Sequence, residues 1–145
     1  MKPALLLFSC IVFQATAHAC SFERRTDEQL VAQSKVIFRA RITEVRLATM
    51  PNPDKPSVQL EVVEGKFELK EILKGTPPIS GFVRDMPFGP GNCNLPLLPG
   101  VEYIFFPEEN DFVWTPSGSF GFINSEGTAV QPRLVTLRSL VAGTK

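Results

Sequence analysis

The sequence predicts a mainly β fold, a small barrel, closed or partly open, with a short N-terminal helix and a C-terminal helix. Three observations predict it. Apolar and polar residues alternate in five or six short runs between positions 35 and 123. The segments between those runs are rich in proline and glycine. The main helical signals lie towards the two ends of the domain.

In chain order, Thr26 followed three residues later by Gln29 has the spacing of a capping box, which predicts a short helix over 27–33 with Leu30 and Val31 turned inward. Next, over 35–46, Val36, Phe38, Ala40 and Ile42 alternate with Ile37, Arg39, Arg41 and Thr43, the period of a strand with one buried and one wet face. Arg39 and Arg41 share a face, which reads as solvated surface. Segment 48–57 holds Pro51, Pro53 and Pro56 and predicts a loop. A second run carries Val58, Leu60 and Val62. Glu64-Gly65-Lys66 then offers a turn into a third run with Phe67 and Leu69, although 68–73 also suits a helical turn.

Segment 79–86 is a fourth strand candidate. The stretch 87–99, with Pro87, Pro90, Pro96, Pro99 and Cys93, predicts a loop ordered by a crosslink. Pro99-Gly100 turns the chain into Val101, Tyr103 and Phe105, and 108–111 turns it back through 112–115. Edge pairing is expected near 120–123. A helix over 129–141 would have Pro132 in its first turn and Leu134, Leu137, Leu140 and Val141 as its apolar stripe. Tyr103 and Trp114 are expected in the core. No internal repeat and no second domain are visible.

The start of the chain reads as an export signal: Lys2, an apolar run over 4–13 too short to span a bilayer, then the A-x-A pattern of Ala17-His18-Ala19. The expected organisation is a signal peptide over 1–19 and one domain over 20–145. Cleavage after Ala19 would put Cys20 at the new N-terminus, in a secreted or periplasmic protein. A cysteine at that place also fits a lipid anchor, whose signal carries Leu three residues earlier and a small residue two earlier. Ala17 and His18 stand there instead.

The leader would take Cys10 with it, leaving Cys20 and Cys93, a pair that in an exported chain reads as a disulfide. Closing so long a loop is worth about 4 kcal/mol in the chain-entropy model. The leader also holds the single histidine, His18, so the processed chain has no imidazole for a catalytic triad, a general base or a metal ligand. Basic and acidic side chains number 15 each, a balance that argues against nucleic acid or an anionic membrane as partner. Glu108, Glu109 and Asp111 are the only dense acidic group, and a turn accounts for them. No nucleophile with a partner base is visible, so no catalysis and no cofactor are expected.

The order of Cys20, the strand from Val36 to Ile42, Phe67, Leu69, Leu73-Lys74-Gly75, Cys93 and Gly100 to Phe105 resembles the netrin-like domain, in particular the N-terminal domain of the tissue inhibitors of metalloproteinases. The resemblance runs from about residue 20 to 106 and implies a five-stranded OB-type barrel with flanking helices. It also implies a mechanism. The freed α-amine and the carbonyl of Cys20 would chelate the catalytic zinc of a target metalloendopeptidase, by main chain only. Ser21 would enter the specificity pocket, and Asn92-Cys93-Asn94 would form the neighbouring ridge.

An α-amine titrates near pH 8, so a metal displaces its proton easily, and a bridge fixes the chain end beforehand. The chain departs from the family at Phe22, where the inhibitors carry a second cysteine, and lacks their further disulfides and C-terminal domain. The alternative is a non-inhibitory netrin-like binding or structural module of the cell envelope, with another extracellular protein as partner. In that case Cys20 is a staple.

Overall fold

The computed structural model describes residues 20–89, 91–122 and 132–144. The expected leader (1–19), Ile123 and the expected helix start (129–131) lie outside them. Among the described residues the elements are α1 (Asp27–Gln33), β1 (Ile37–Pro51), β2 (Gln59–Lys74), β3 (Phe82–Asp85), β4 (Glu102–Phe105), β5 (Phe120–Phe122) and α2 (Pro132–Gly143), with short 3₁₀ turns at Glu109–Asp111 and Thr115–Ser117. The capping box forms as spaced: Thr26 Oγ1 accepts from the Gln29 N–H at 3.3 Å, and the Thr26 N–H donates to Gln29 Oε1 at 2.8 Å.

The strands make one antiparallel sheet in the order β3-β2-β1-β4-β5. It is not closed: the edge strands β3 and β5 do not pair with each other. Outside the sheet, an isolated parallel bridge joins Arg84 on β3 to Phe112 in the segment between β4 and β5, where the Val113 N–H donates to the Arg84 carbonyl at 2.9 Å.

The sheet is buried on both faces where β1 meets β4, which is why all four residues of β4 are buried. On one face Phe38, Ala40, Ile42, Tyr103 and Phe105 pack with Val83, Val113, Leu95 and Leu97. On the other, Ile37, Ile104 and Phe106 pack under Leu30 and Val31 of α1 and Leu134, Leu137 and Val141 of α2. Each large side chain so buried contributes roughly 1.5–3 kcal/mol. The apolar stripe expected of the C-terminal helix is therefore core packing. Ion pairs lock the helices in place. Arg133 of α2 reaches Asp27 of α1 at 2.7 Å, and Arg138 reaches Glu71 of β2 at 2.6 Å.

Three expectations are corrected. Glu64-Gly65-Lys66 does not turn the chain, and 68–73 is not helical, because β2 runs unbroken from Gln59 to Lys74. Gly65 sits in the strand because the core presses on it: a Cβ there would lie 2.9 Å from Ile42 Cδ1 and 3.1 Å from Leu97 Cδ1. Gly65 pairs with Val45, and close by Thr43 has no ladder partner between the Ile42–Phe67 and Glu44–Lys66 pairs, a bulge that bends the two strands. The loop expected over 48–57 is shorter, since β1 continues to Pro51 at the end of a hairpin edge, where a missing N–H costs no ladder bond. Arg39 and Arg41 are not simply solvated, because both guanidiniums pair with the buried Glu102 of β4, at 2.5 and 3.4 Å.

Gly121 of β5 lies against the Tyr103 ring, where a Cβ would come within 2.4 Å of Cε1. That ring stacks on Phe105 at 5.2 Å and its hydroxyl is bonded at both lone-pair and proton, so it cannot yield. Gly121→Ala should lower stability by about 2–3 kcal/mol in urea unfolding. An unchanged midpoint would mean that β5 does not lie along β4.

Candidate functional site

Cys20 and Cys93 are joined by a disulfide with Cα atoms 5.3 Å apart, 73 positions distant in sequence. Cys20 and Ser21 are exposed and outside regular structure. The bridge brings them to Asn92, Cys93 and Asn94, so all five residues singled out from the sequence meet at one place.

The ridge around Cys93 has no ladder to hold it, and three side chains hold it instead. Thr115 donates its N–H to the Cys93 carbonyl and its hydroxyl to the Asn94 carbonyl, both at 3.0 Å. Asp85, at the end of β3 and 1% exposed, accepts from the Leu95 N–H and, at 2.7 Å, from the Met86 N–H. Tyr103 takes the Leu98 N–H at 2.9 Å and donates to the Pro96 carbonyl at 2.6 Å. Within the loop, Asn92 donates its Nδ2 to the Pro87 carbonyl at 2.8 Å and its N–H to Gly89 at 3.1 Å. Leu95 and Leu97 thereby enter the core while Asn92 stays exposed.

Sequence reasoning missed Asp85 and Thr115 as the supports of this ridge, because neither lies in a pattern. The signal available was an aspartate closing a strand of otherwise core-facing type. Trp114 departs from expectation too. It is 37% exposed, and its indole N–H donates to Glu108 at 2.9 Å. Tyr103 is buried as expected. The acidic stretch forms a tight turn with positive φ at Asn110 and Asp111.

A groove of about 440 Å³ runs between the segment leading into α1 and the Thr115–Phe120 segment, lined by Phe22, Arg24, Arg25, Thr115, Phe120 and Arg133 among others; none of Cys20, Ser21, Asn92, Cys93 and Asn94 lines it. Among the described residues no group of three or more His, Cys, Asp or Glu side chains is placed to hold a metal ion, and no helix is long and apolar enough to cross a membrane. No family model matches the chain, and no curated protein matches it either.

Burial pushes the Asp85 carboxyl up from 3.8 to about 6, against the opposing pull of the Leu95 and Met86 N–H groups. A carboxyl raised on folding makes the native state favour the protonated form. Its contribution is full below pH 3.8 and is lost as pH rises through about 6. Asp85→Asn cannot ionise, so the stability gap between wild type and variant should move by about 2 kcal/mol in the variant's favour between pH 4 and 7. A gap that does not change with pH would show that the carboxyl titrates as if in water. Cys93→Ser should cost about 3–4 kcal/mol, and thiol labelling of unfolded, unreduced wild type should modify neither Cys20 nor Cys93.

Proposed function

We propose that this is an exported inhibitor of a zinc metalloendopeptidase, cleaved after Ala19 and acting through the amine and carbonyl of Cys20. The observation that carries the reading is the tethering of an exposed residue 20 to a ridge whose carbonyls and N–H groups are individually held. Chelation by a chain end requires that end to be fixed before binding, since otherwise its ordering entropy is lost on association. A disulfide serving stability alone places no demand on its cysteine being residue one, whereas chelation does.

The sheet order and the parallel Arg84–Phe112 contact support a second part of the proposal, that the sheet is a five-stranded OB-type barrel opened between β3 and β5. In this reading Ser21 points into the target's specificity pocket and Asn92 and Asn94 flank the zinc-binding end. The zinc belongs to the target, and the chain supplies two main-chain ligands to it.

One added alanine ahead of Cys20 moves the amine by about 3.5 Å and leaves bridge and sheet untouched. The protein beginning at Cys20 should inhibit members of a panel of zinc endopeptidases, and the alanine-extended form should fold equally well and lose that inhibition. Ser21→Arg should change which endopeptidases are inhibited. Equal inhibition by the extended form would sink the N-terminal mechanism. An acylated Cys20 in the exported protein, read by mass spectrometry, would do the same, because the amine would be consumed.

A further inference from the structure

The groove between the segment leading into α1 and the Thr115–Phe120 segment has walls that are each tied in place. Residues 21–25 have no regular structure. The disulfide fixes them at one end, through Cys20, and the Thr26 capping box fixes them at the other. Between those points Arg25 donates to the Pro116 carbonyl of the facing segment and, at 3.3 Å, to Gln33. On the facing side the buried Ser119 hydroxyl takes the Phe106 N–H and meets Ser117 Oγ, both at 2.9 Å. Arg133 enters from α2, its guanidinium 4.2 Å from the centre of the Phe120 ring and bound to Asp27 at 2.7 Å. A cavity of about 440 Å³ is of the size that holds a small organic molecule.

The lining is unbalanced in charge. It holds three guanidiniums, Arg24, Arg25 and Arg133, and one carboxylate, Asp27. Glu108, outside the lining, reaches Arg25 at 3.6 Å, and one guanidinium is still left over. That one is Arg24, which is exposed and which, among the described residues, no ion pair or hydrogen bond engages. Asp27 takes Nε and Nη2 of Arg133 through a single oxygen, so further N–H groups of that fork are unspent. The hydroxyls of the lining cannot balance these donors, because Thr115 is committed to the Asn94 carbonyl and Ser119 to Phe106 and Ser117. Beside the guanidiniums stand apolar surfaces, Phe22 from one wall and Pro116 and Phe120 from the other. A bare inorganic anion would leave those rings in water, and an uncharged apolar molecule would cover guanidiniums without pairing them. An anion on an apolar body satisfies both.

We propose that this groove is a binding site for a small organic acid, a carboxylate on an aromatic or aliphatic body. The carboxylate takes the unspent donors of the lining arginines, whose planar forks match its two oxygens, and the body lies against Phe22 and Phe120. The single surplus charge selects a compact monoanion. An acidic peptide brings more negative charge than the lining neutralises, and one unpaired cation is not the basic cluster that an anionic lipid surface requires. The walls are fixed before binding, so little ordering entropy is lost when the ligand enters. Since the zinc-chelating end and its ridge do not line the groove, the site stands apart from the inhibitor reading and does not depend on it.

The test titrates the folded, oxidised protein with 3-phenylpropionate and follows its backbone amides by NMR. 3-Phenylpropanol, which keeps the body without the charge, and inorganic sulfate, which keeps a charge without the body, are the matched probes. 3-Phenylpropionate should give saturable shifts at Phe22, Ser119 and Phe120, with a Kd about tenfold or more below that of either matched probe. Arg24→Gln removes a side chain with no partner to lose, so it folds as wild type and should raise that Kd about fivefold. Phe22→Ala should raise it about threefold, and Lys55→Gln, in the loop between β1 and β2, should stay within about twofold. Absence of saturable shifts up to about 10 mM overturns the proposal. Equal binding of 3-phenylpropanol overturns it in favour of an apolar patch, and equal binding of sulfate in favour of an adventitious ion only. Wild-type Kd in both Arg24→Gln and Phe22→Ala also overturns it, because the acid would then lie elsewhere. Binding of the blocked tripeptide Glu-Phe-Glu without binding of 3-phenylpropionate overturns it in favour of an acidic peptide.

Discussion

An irregular loop cannot roof a hydrophobic core unless something satisfies its backbone. Segment 93–98 sends Leu95 and Leu97 into the core beneath β1 and β4, and the backbone groups that accompany them need hydrogen-bond partners. No strand accepts them. Asp85, Tyr103 and Thr115 do so instead, binding the Leu95 and Leu98 N–H groups and the Cys93, Asn94 and Pro96 carbonyls. The aspartate is itself the least comfortable member of the set, since burial opposes its ionisation while the donors favour it. The disulfide acts on the same segment from outside. It ties the approach to α1 to this roof, so the N-terminal segment inherits the loop's order.

The sheet itself is fixed by a second constraint, of charge. Two buried carboxylates each sit between two guanidiniums. Glu102 of β4 is held by Arg39 and Arg41 of β1, and Glu64 of β2 by Arg46 of β1 and Arg84 of β3. The Arg46 hydrogen bond, assisted by Arg84, holds the Glu64 carboxyl below the usual carboxylate range despite its burial. Such groups gain little over an apolar replacement, yet removing one partner leaves a charge out of water. Their effect is on register. A one-residue slip of β1 would turn Arg39 and Arg41 into the core and Phe38, Ala40 and Ile42 out of it.

Much of the architecture was legible in the sequence because it follows short-range rules. The Thr26–Gln29 capping box, the alternation of Phe38, Ala40 and Ile42, the Pro99-Gly100 turn and the Leu134–Leu137–Val141 stripe each depend on residues within a few positions of one another. The two cysteines were legible as a pair by counting. What escaped depends on contacts distant in sequence. Gly65 carries a turn signature, and only the approach of Ile42 and Leu97 makes it a strand residue. Arg39 and Arg41 look solvated until Glu102 is known to lie beneath them. Trp114 looks like core until the bond to Glu108 is seen. At the site, the meeting of Cys20 with 92–94 followed from the bridge, whereas Asp85 and Thr115 announce themselves only through the loop they hold.

In the proposed reading, that same loop joins stability to recognition. Its inward residues, Leu95 and Leu97, are part of the core, and its outward residue Asn92 belongs to the surface around Cys20. One set of hydrogen bonds therefore serves both. The entropy of ordering Asn92 and the chain at Cys20 is lost once, on folding, where core burial offsets it. It need not be lost again on meeting a partner. The coupling also sets a limit. A change that loosens Asp85 or Thr115 cannot free the ridge without opening the roof over Phe38 and Tyr103, so the rigidity of the proposed recognition surface and the integrity of the core rise and fall together.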